Sequence, residues 1–233
     1  MLNGGKALAR ATGGAIRSHA WRRLMGSARV RYKQIVALRF SADLSPAEWI
    51  VGSGLPWSRL VCFGPSTFEA YARLRFLPDP VFAGQTENEA YREHAPFASD
   101  QWHSIFELLA SHTDTPEDCY FGLWEGWPLP DSVRGLPKFG VPRDARFPAR
   151  SYFLFRGPLA DAGDWGDKSD PHPVSRYEPA FVWPADHAWC LANDVDPHWA
   201  GIGANAKVIE RVVADTRLDA VAADPSGEQP TYA

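Results

Sequence analysis

The apolar residues of this chain come in runs too short for ordinary helices. "YKQIVALRF", "CYFGLW", "SYFLFRG", "AFVWP" and "HAWCLANDV" are rich in aromatic and aliphatic side chains and are separated by stretches dense in proline, glycine and aspartate. Runs of that length and make-up, bounded by turn residues, read as strands. Two segments carry a helical period instead. "SDQWHSIFELLASHT" starts at Ser99 or Asp100 and lines up Trp102, Ile105, Phe106 and Leu109, and "AKVIERVVAD" follows Asn205, a good N-cap. Strands joined mostly by loops, with a few flanking helices, predict an α+β fold around a mainly antiparallel, mixed sheet with long loops.

Other segments refine that expectation. In "LSPAEWIVGSG", Ser45 is placed to cap a helix, Pro46 suits its first turn, Glu48 sits at the capping-box position, and Gly52 or Gly54 stops it. "SRLVCF" reads as a strand. "FEAYARLRF" alternates Phe68, Ala70, Ala72, Leu74 and Phe76 against Glu69, Tyr71, Arg73 and Arg75, which predicts a half-exposed strand paired in a hairpin. Residues 126–150 hold five prolines and three glycines and read as one long loop.

Composition sets limits. At 45% hydrophobic and 22% charged, the chain can build a core without disulfides or metals to staple it. The three cysteines, Cys62, Cys119 and Cys190, are far apart and each lies in an apolar run, so they read as reduced packing residues of a cytoplasmic protein. No apolar run reaches the roughly 18 residues needed to cross a membrane. Residues 1–42 carry nine Lys and Arg and no acid, leaving 15 basic and 28 acidic residues beyond, a net −13. A polar "SARVRYKQ" follows the paired arginines of "WRRLMG", where an export signal needs an apolar stretch. Residues 1–40 are therefore expected to be a basic, disordered extension dispensable for folding, and residues 41–233 a single domain. Its acidic charge disfavours nucleic acid as a partner.

The blocks "GLPWSRLVCFGPSTFEAYARLRFLPDP", "CYFGLWEGW", "YFLFRGPL" and "VWPADHAWCLANDVD" carry a resemblance. From about residue 43 onward the chain resembles a group of conserved hypothetical proteins of high-GC actinobacteria, a group with no established activity. The resemblance implies one intracellular domain and transfers no catalytic residue.

The densest stretch of chemistry is "FVWPADHAWCLANDVDPHWAGIGANAKV". A strand from His187 to Val195 puts His187 and Cys190 on opposite faces, and no Cys-x-x-Cys occurs, so no metal or cofactor is expected. "GIGANA" matches a dinucleotide fingerprint in letters only. A five-residue "DPHWA" intervenes where a tight strand-to-helix turn is required, so the glycines are expected to form an ordinary turn. Asp194, Asp196 and His198 converge on one strand end and make the one candidate for divalent-ion or acid–base chemistry. His103 and His112, nine residues apart on a helix, cannot chelate together, and His112 suits the helix C-terminal dipole. The loop 126–150, together with Trp124 just before it, offers Trp127, Arg134, Lys138, Phe139, Arg143 and Arg146 as a contact surface. These features favour a non-catalytic module that recognises a protein partner, immunity-protein-like by analogy of fold class. The alternative is an enzyme, hydrolytic or divalent-ion-dependent, using Asp194, Asp196 and His198.

Overall fold

The computed structural model describes residues 38–90, 96–127, 135–143, 149–163, 165 and 177–233. They form a nine-stranded sheet in which every pairing is antiparallel. The strands are β1 (Arg39–Phe40), β2 (Ala70–Arg75), β3 (Cys119–Trp124), β4 (Lys138–Val141), β5 (Arg150–Gly157), β6 (Phe181–Pro184), β7 (Trp189–Ala192), β8 (Trp199–Ala204) and β9 (Ala220–Ala223). Their order is β1-β5-β3-β6-β7-β8-β2-β9, with β4 also pairing with β5. Four α-helices accompany them: α1 (Glu48–Val51), α2 (Trp57–Phe63), α3 (Ala98–Ala110) and α4 (Ala206–Ala214). This is the α+β architecture that the strand-and-loop pattern predicts.

Both faces of the sheet are covered. Trp102, Ile105 and Leu109 of α3 and Val208, Ile209 and Val212 of α4 pack on one face, against Leu74, Phe121, Trp189, Leu191 and Ile202 among others. Ile50 of α1 and Leu60 and Val61 of α2 pack on the other, against Tyr152, Phe181, Trp183 and Cys190. Period-two alternation therefore sorts large side chains to two different helical layers rather than to core and solvent. β3 is accordingly buried on both faces, as its unbroken apolar run suggests.

Several local expectations are corrected. "SRLVCF" is not a strand but most of α2. Pro56 at the N-cap position and Gly64 in the left-handed region (φ 72°) bracket it, and a glycine there ends a helix without a Cβ penalty. The helix at "LSPAEWIV" begins as a 3₁₀ turn over Ser45–Ala47, inside which Ser45 lies, so Ser45 caps nothing. Asp43 Oδ1 accepts the Ser45 N–H at 3.0 Å instead. β2 is no half-exposed hairpin arm: it lies between β8 and β9 with Tyr71 and Arg73 buried. The stretch 126–150 is interrupted by β4, which pairs antiparallel with β5. β1 begins inside the segment expected to be extension. Leu38 is buried against Gly157, and Phe40 meets Phe155 edge-on at 6.0 Å. Residues 1–37 lie outside the described residues.

The Gly-x-Gly segment is likewise no turn. Gly201 and Gly203 sit in the middle of β8, a strand buried along its whole length. Alternation points Ala200, Ile202 and Ala204 at the α3/α4 layer and the two glycines at the α2 side. A Cβ on Gly201 would lie 2.0 Å from the Cys62 carbonyl oxygen, and one on Gly203 2.4 Å from the Phe68 ring. The glycines let a helix backbone and an aromatic ring rest directly on the strand.

Candidate functional site

The connection between α1 and α2 faces the end of β4 across a cleft of about 700 Å³, lined in part by Val51, Leu55, Trp57, Leu60, Val141 and Arg143. Pro56 fixes the entry to α2 and so presents Trp57, its first residue, at the cleft. The Arg143 guanidinium lies 3.9 Å from the centre of the Trp57 ring, and that of Arg150 lies 5.1 Å from it. Arg150 is also 5.3 Å from Trp124. Cation–π geometry of this kind holds a charged group against an aromatic face.

Beneath the cleft Arg150 is the organising charge. At the start of β5 its side chain is only 10% exposed, and it pairs with Asp194 and with Asp196 at 3.3 Å. Two groups near this charge titrate abnormally. Burial pushes the Cys62 thiol up to about 11, with Asp196 adding to the rise and Arg150 opposing it. Burial likewise raises the Tyr152 hydroxyl well above its usual range against the pull of Arg150. The Tyr152 hydroxyl and the Trp57 indole N–H are both buried without a hydrogen-bond partner.

The aspartate and histidine corner is divided between two ion networks. Asp194 and Asp196 share Arg150, whereas His198 contacts Asp79 at 3.2 Å. Asp79 takes Arg73 at 2.6 Å and Arg75 at 3.2 Å, and Arg75 also holds Asp219 at 2.5 Å. Gln101 of α3 closes this second network, donating to the Arg75 carbonyl and accepting from the Asp219 N–H. Two guanidinium groups against two carboxylates leave it balanced, and its members tie β2 to β8, β9 and α3. Desolvation opposes ionisation of Asp79, but hydrogen bonds from Arg73 and His198 outweigh it and bring its pKa down to about 2. Among the described residues no group of three or more His, Cys, Asp and Glu is arranged to hold a metal ion.

Three histidines share one direction of shift. Burial lowers His198, His187 and His112 below the ordinary 6.5; Arg211 and Lys207 depress His112 further, so it gains nothing net from the helix dipole. His187, in the β6–β7 turn at φ 55°, stacks on Trp49 with ring centres 4.1 Å apart. A depressed histidine protonates more readily in the unfolded chain, so its stabilisation is complete above about pH 6.5 and is lost as pH falls below it. The melting temperature is expected to be level from about pH 7 to 8.5 and to fall between about pH 6.5 and 5. His198→Gln, which keeps a donor for Asp79, should flatten part of that fall. An unchanged slope in that variant would remove His198 from the account.

The proposed contact surface is partly displaced. Arg143 lines the cleft beside Trp57, whereas Trp124 is not among the lining residues and lies 5.3 Å from the Arg150 guanidinium. Trp127 instead stacks on Tyr177 at 4.8 Å, and Lys138 pairs with Glu125 at 2.5 Å. Phe139 is corrected from a contact residue to a core residue: it is 4% exposed and stacks on Tyr152, because β4 pairing turns it inward. Arg134 and Arg146 lie outside the described residues. Trp57, the centre of the arrangement, escapes sequence reasoning because its segment reads as a strand. The proline before it and the glycine after the run were the available signal. The three cysteines are free thiols, and no described helix is long and apolar enough to cross a membrane. Comparison of the chain with protein-family models, curated proteins and solved structures returns no match in any of the three.

Proposed function

We propose that this protein is a cytoplasmic, non-catalytic binding module. It takes a segment of a protein partner into the cleft between the α1–α2 connection and β4. The observation that carries this reading is the Arg143 guanidinium stacked on Trp57 at the cleft, a pair of the two residue types that most often dominate binding energy at interfaces. An apolar side chain of the partner fits against Leu55, Leu60 and Val141, beside the Trp57–Arg143 pair. Free thiols suit a reducing compartment. The enzymatic alternative at Asp194, Asp196 and His198 is weaker because Arg150 and Asp79 already engage those groups.

The test uses the tagged protein as bait in native lysate beside Arg143→Glu and Ser58→Tyr variants of matched thermal stability. The reading expects a near-stoichiometric protein retained by the wild type and reduced about tenfold or more by either variant, a loss of about 1.4 kcal/mol. Equal retention by all three proteins, or no stoichiometric partner, overturns it.

A further inference from the structure

The far edge of the sheet presents a second, separate surface. Among the described residues, β9 pairs with β2 on one side and ends the strand order on the other. The Arg75 N–H bonds to the Asp219 carbonyl at 2.8 Å, which marks residues 75 and 219 as a hydrogen-bonded pair. Alternation along an antiparallel ladder then makes 73/221 and 71/223 bonded pairs, and turns the N–H and C=O groups of Ala220 and Ala222 away from β2. The strand reads Ala-Val-Ala-Ala and lacks the lysine, proline or bulge with which sheet edges are commonly blunted.

Beside that edge, α4 and β9 enclose a groove of about 700 Å³. Its floor includes Ile209, Val213 and Ala222, and Val213 is 40% exposed. Its rim carries Glu69, Glu210 and Asp224, and no lysine or arginine among the described residues lines it. Glu69 accepts the Ala206 N–H at 3.0 Å, and Asp224 accepts both the side-chain and backbone donors of Ser226. Those bonds orient the carboxylates without adding a counter-charge, although Asp224 also feels the charge of Arg59. The nearest bases of α4, Lys207 and Arg211, lie on the side of the helix that faces His112 and depress its pKa.

We infer that this edge is a docking site for an extended segment of a protein partner, added as a tenth strand against β9, whose side chains facing α4 are apolar at the centre and basic at the flanks. The outward groups of Ala220 and Ala222 supply the main-chain bonds. On the face turned to α4, central apolar side chains enter the groove over Ile209 and Val213, and flanking basic ones meet Glu210 and Asp224. A second copy fits poorly, because its β9 edge reads Ala-Val-Ala-Ala and brings no basic side chain to Glu210 and Asp224. The inference is independent of the Trp57–Arg143 cleft, and either can fail alone.

Fluorescence anisotropy tests it on the full chain with a labelled peptide whose alternate positions read arginine, valine, valine, arginine, separated by serines. Two control peptides accompany it: one with glutamate in place of arginine, and one with alternate backbone amides N-methylated at unchanged charge. Binding should weaken about tenfold or more for both controls. It should weaken as much for Ala222→Pro, which removes one outward N–H where an edge strand tolerates proline, and for the Glu210→Lys/Asp224→Lys protein. Circular dichroism and melting temperature of both variants should match the wild type. Absent binding, equal binding of the N-methylated peptide, or equal binding by Ala222→Pro overturns the inference, the last two by reducing it to general attraction. A concentration-dependent dimer that Ala222→Pro abolishes also overturns it, by making the occupant a second copy.

Discussion

Gly201→Ala is expected to destabilise the protein by about 3 kcal/mol, at the upper end of what overpacking costs in a close-packed interior. The new methyl would stand 2.0 Å from the Cys62 carbonyl oxygen and 2.8 Å from the Phe63 ring. The first of these is helix backbone, which cannot rotate away, so α2 as a whole must lift from β8. Lifting it also opens the packing of Leu60 and Val61 on the sheet. In a domain of this size the cost corresponds to a fall in melting temperature of about 6–12 °C. Gly203→Ala should cost less, since its obstacles are the Phe68 and Tyr71 rings, which are side chains. Gly140→Ala is the control: its methyl would find only Ala149, at an ordinary 3.6 Å, and stability should change by less than about 1 kcal/mol. Thermal unfolding of the three variants ranks these costs. A Gly201→Ala protein as stable as the wild type would mean that α2 does not press on β8.

Removing the Arg150 charge is expected to have an effect of similar or larger size. Arg150 and Asp194 are 10% and 4% exposed at their side chains, so Arg150→Ala leaves a carboxylate buried without its counter-charge. Such a change typically costs about 3–5 kcal/mol, much of it the penalty for the stranded partner rather than the worth of the pair. The same substitution also withdraws the cation from Trp57 and Trp124. Two comparisons separate these contributions. Arg150→Met combined with Asp194→Leu removes both charges, and should recover most of the loss because no unpaired ion remains. Asp196→Asn, at a side chain 71% exposed, should change stability by less than about 1 kcal/mol. Urea unfolding of the four proteins measures the coupling between Arg150 and Asp194. A double variant no better than Arg150→Ala alone would place the loss in the aromatic contacts instead of the ion pair.

These two positions also show where sequence reasoning stopped. "WAGIGA" looks like a turn because glycine is the usual turn residue, and letters alone do not distinguish a glycine needed for a positive φ from one needed for space. Gly201 and Gly203 are of the second kind: the reason for Gly201 lies in α2 and that for Gly203 in Phe68 and Tyr71, all more than a hundred residues earlier in the chain. The misreading of "SRLVCF" as a strand is the other half of the same error. A seven-residue apolar helix has too few turns to declare its period, and once it was read as a strand nothing remained to press on the glycines.

The charged residues divide in the same way. Asp194, Asp196 and His198 are close in sequence, and proximity made them one candidate site. The fold gives the aspartates to Arg150 and the histidine to Asp79, whose partners come from elsewhere in the chain. Conversely Trp57 and Arg143, 86 positions apart, become neighbours only because α2 and β4 pack on the same side of the sheet.

What the sequence determined by itself was local. Short apolar runs bounded by breakers specified most of the strands, the helical period specified α3 and α4, and Asn205 specified the cap of α4, where its side chain accepts the Val208 N–H. Each of these depends on interactions within a few residues, whose energetics travel with the sequence. Tertiary structure alone decided that the sheet has helices on both faces, that β2 is a central strand, and that two glycines serve as contact surface. It also decided which arginine neutralises which aspartate. Those outcomes depend on long-range pairing, in which a residue's role is set by whatever the rest of the chain brings against it.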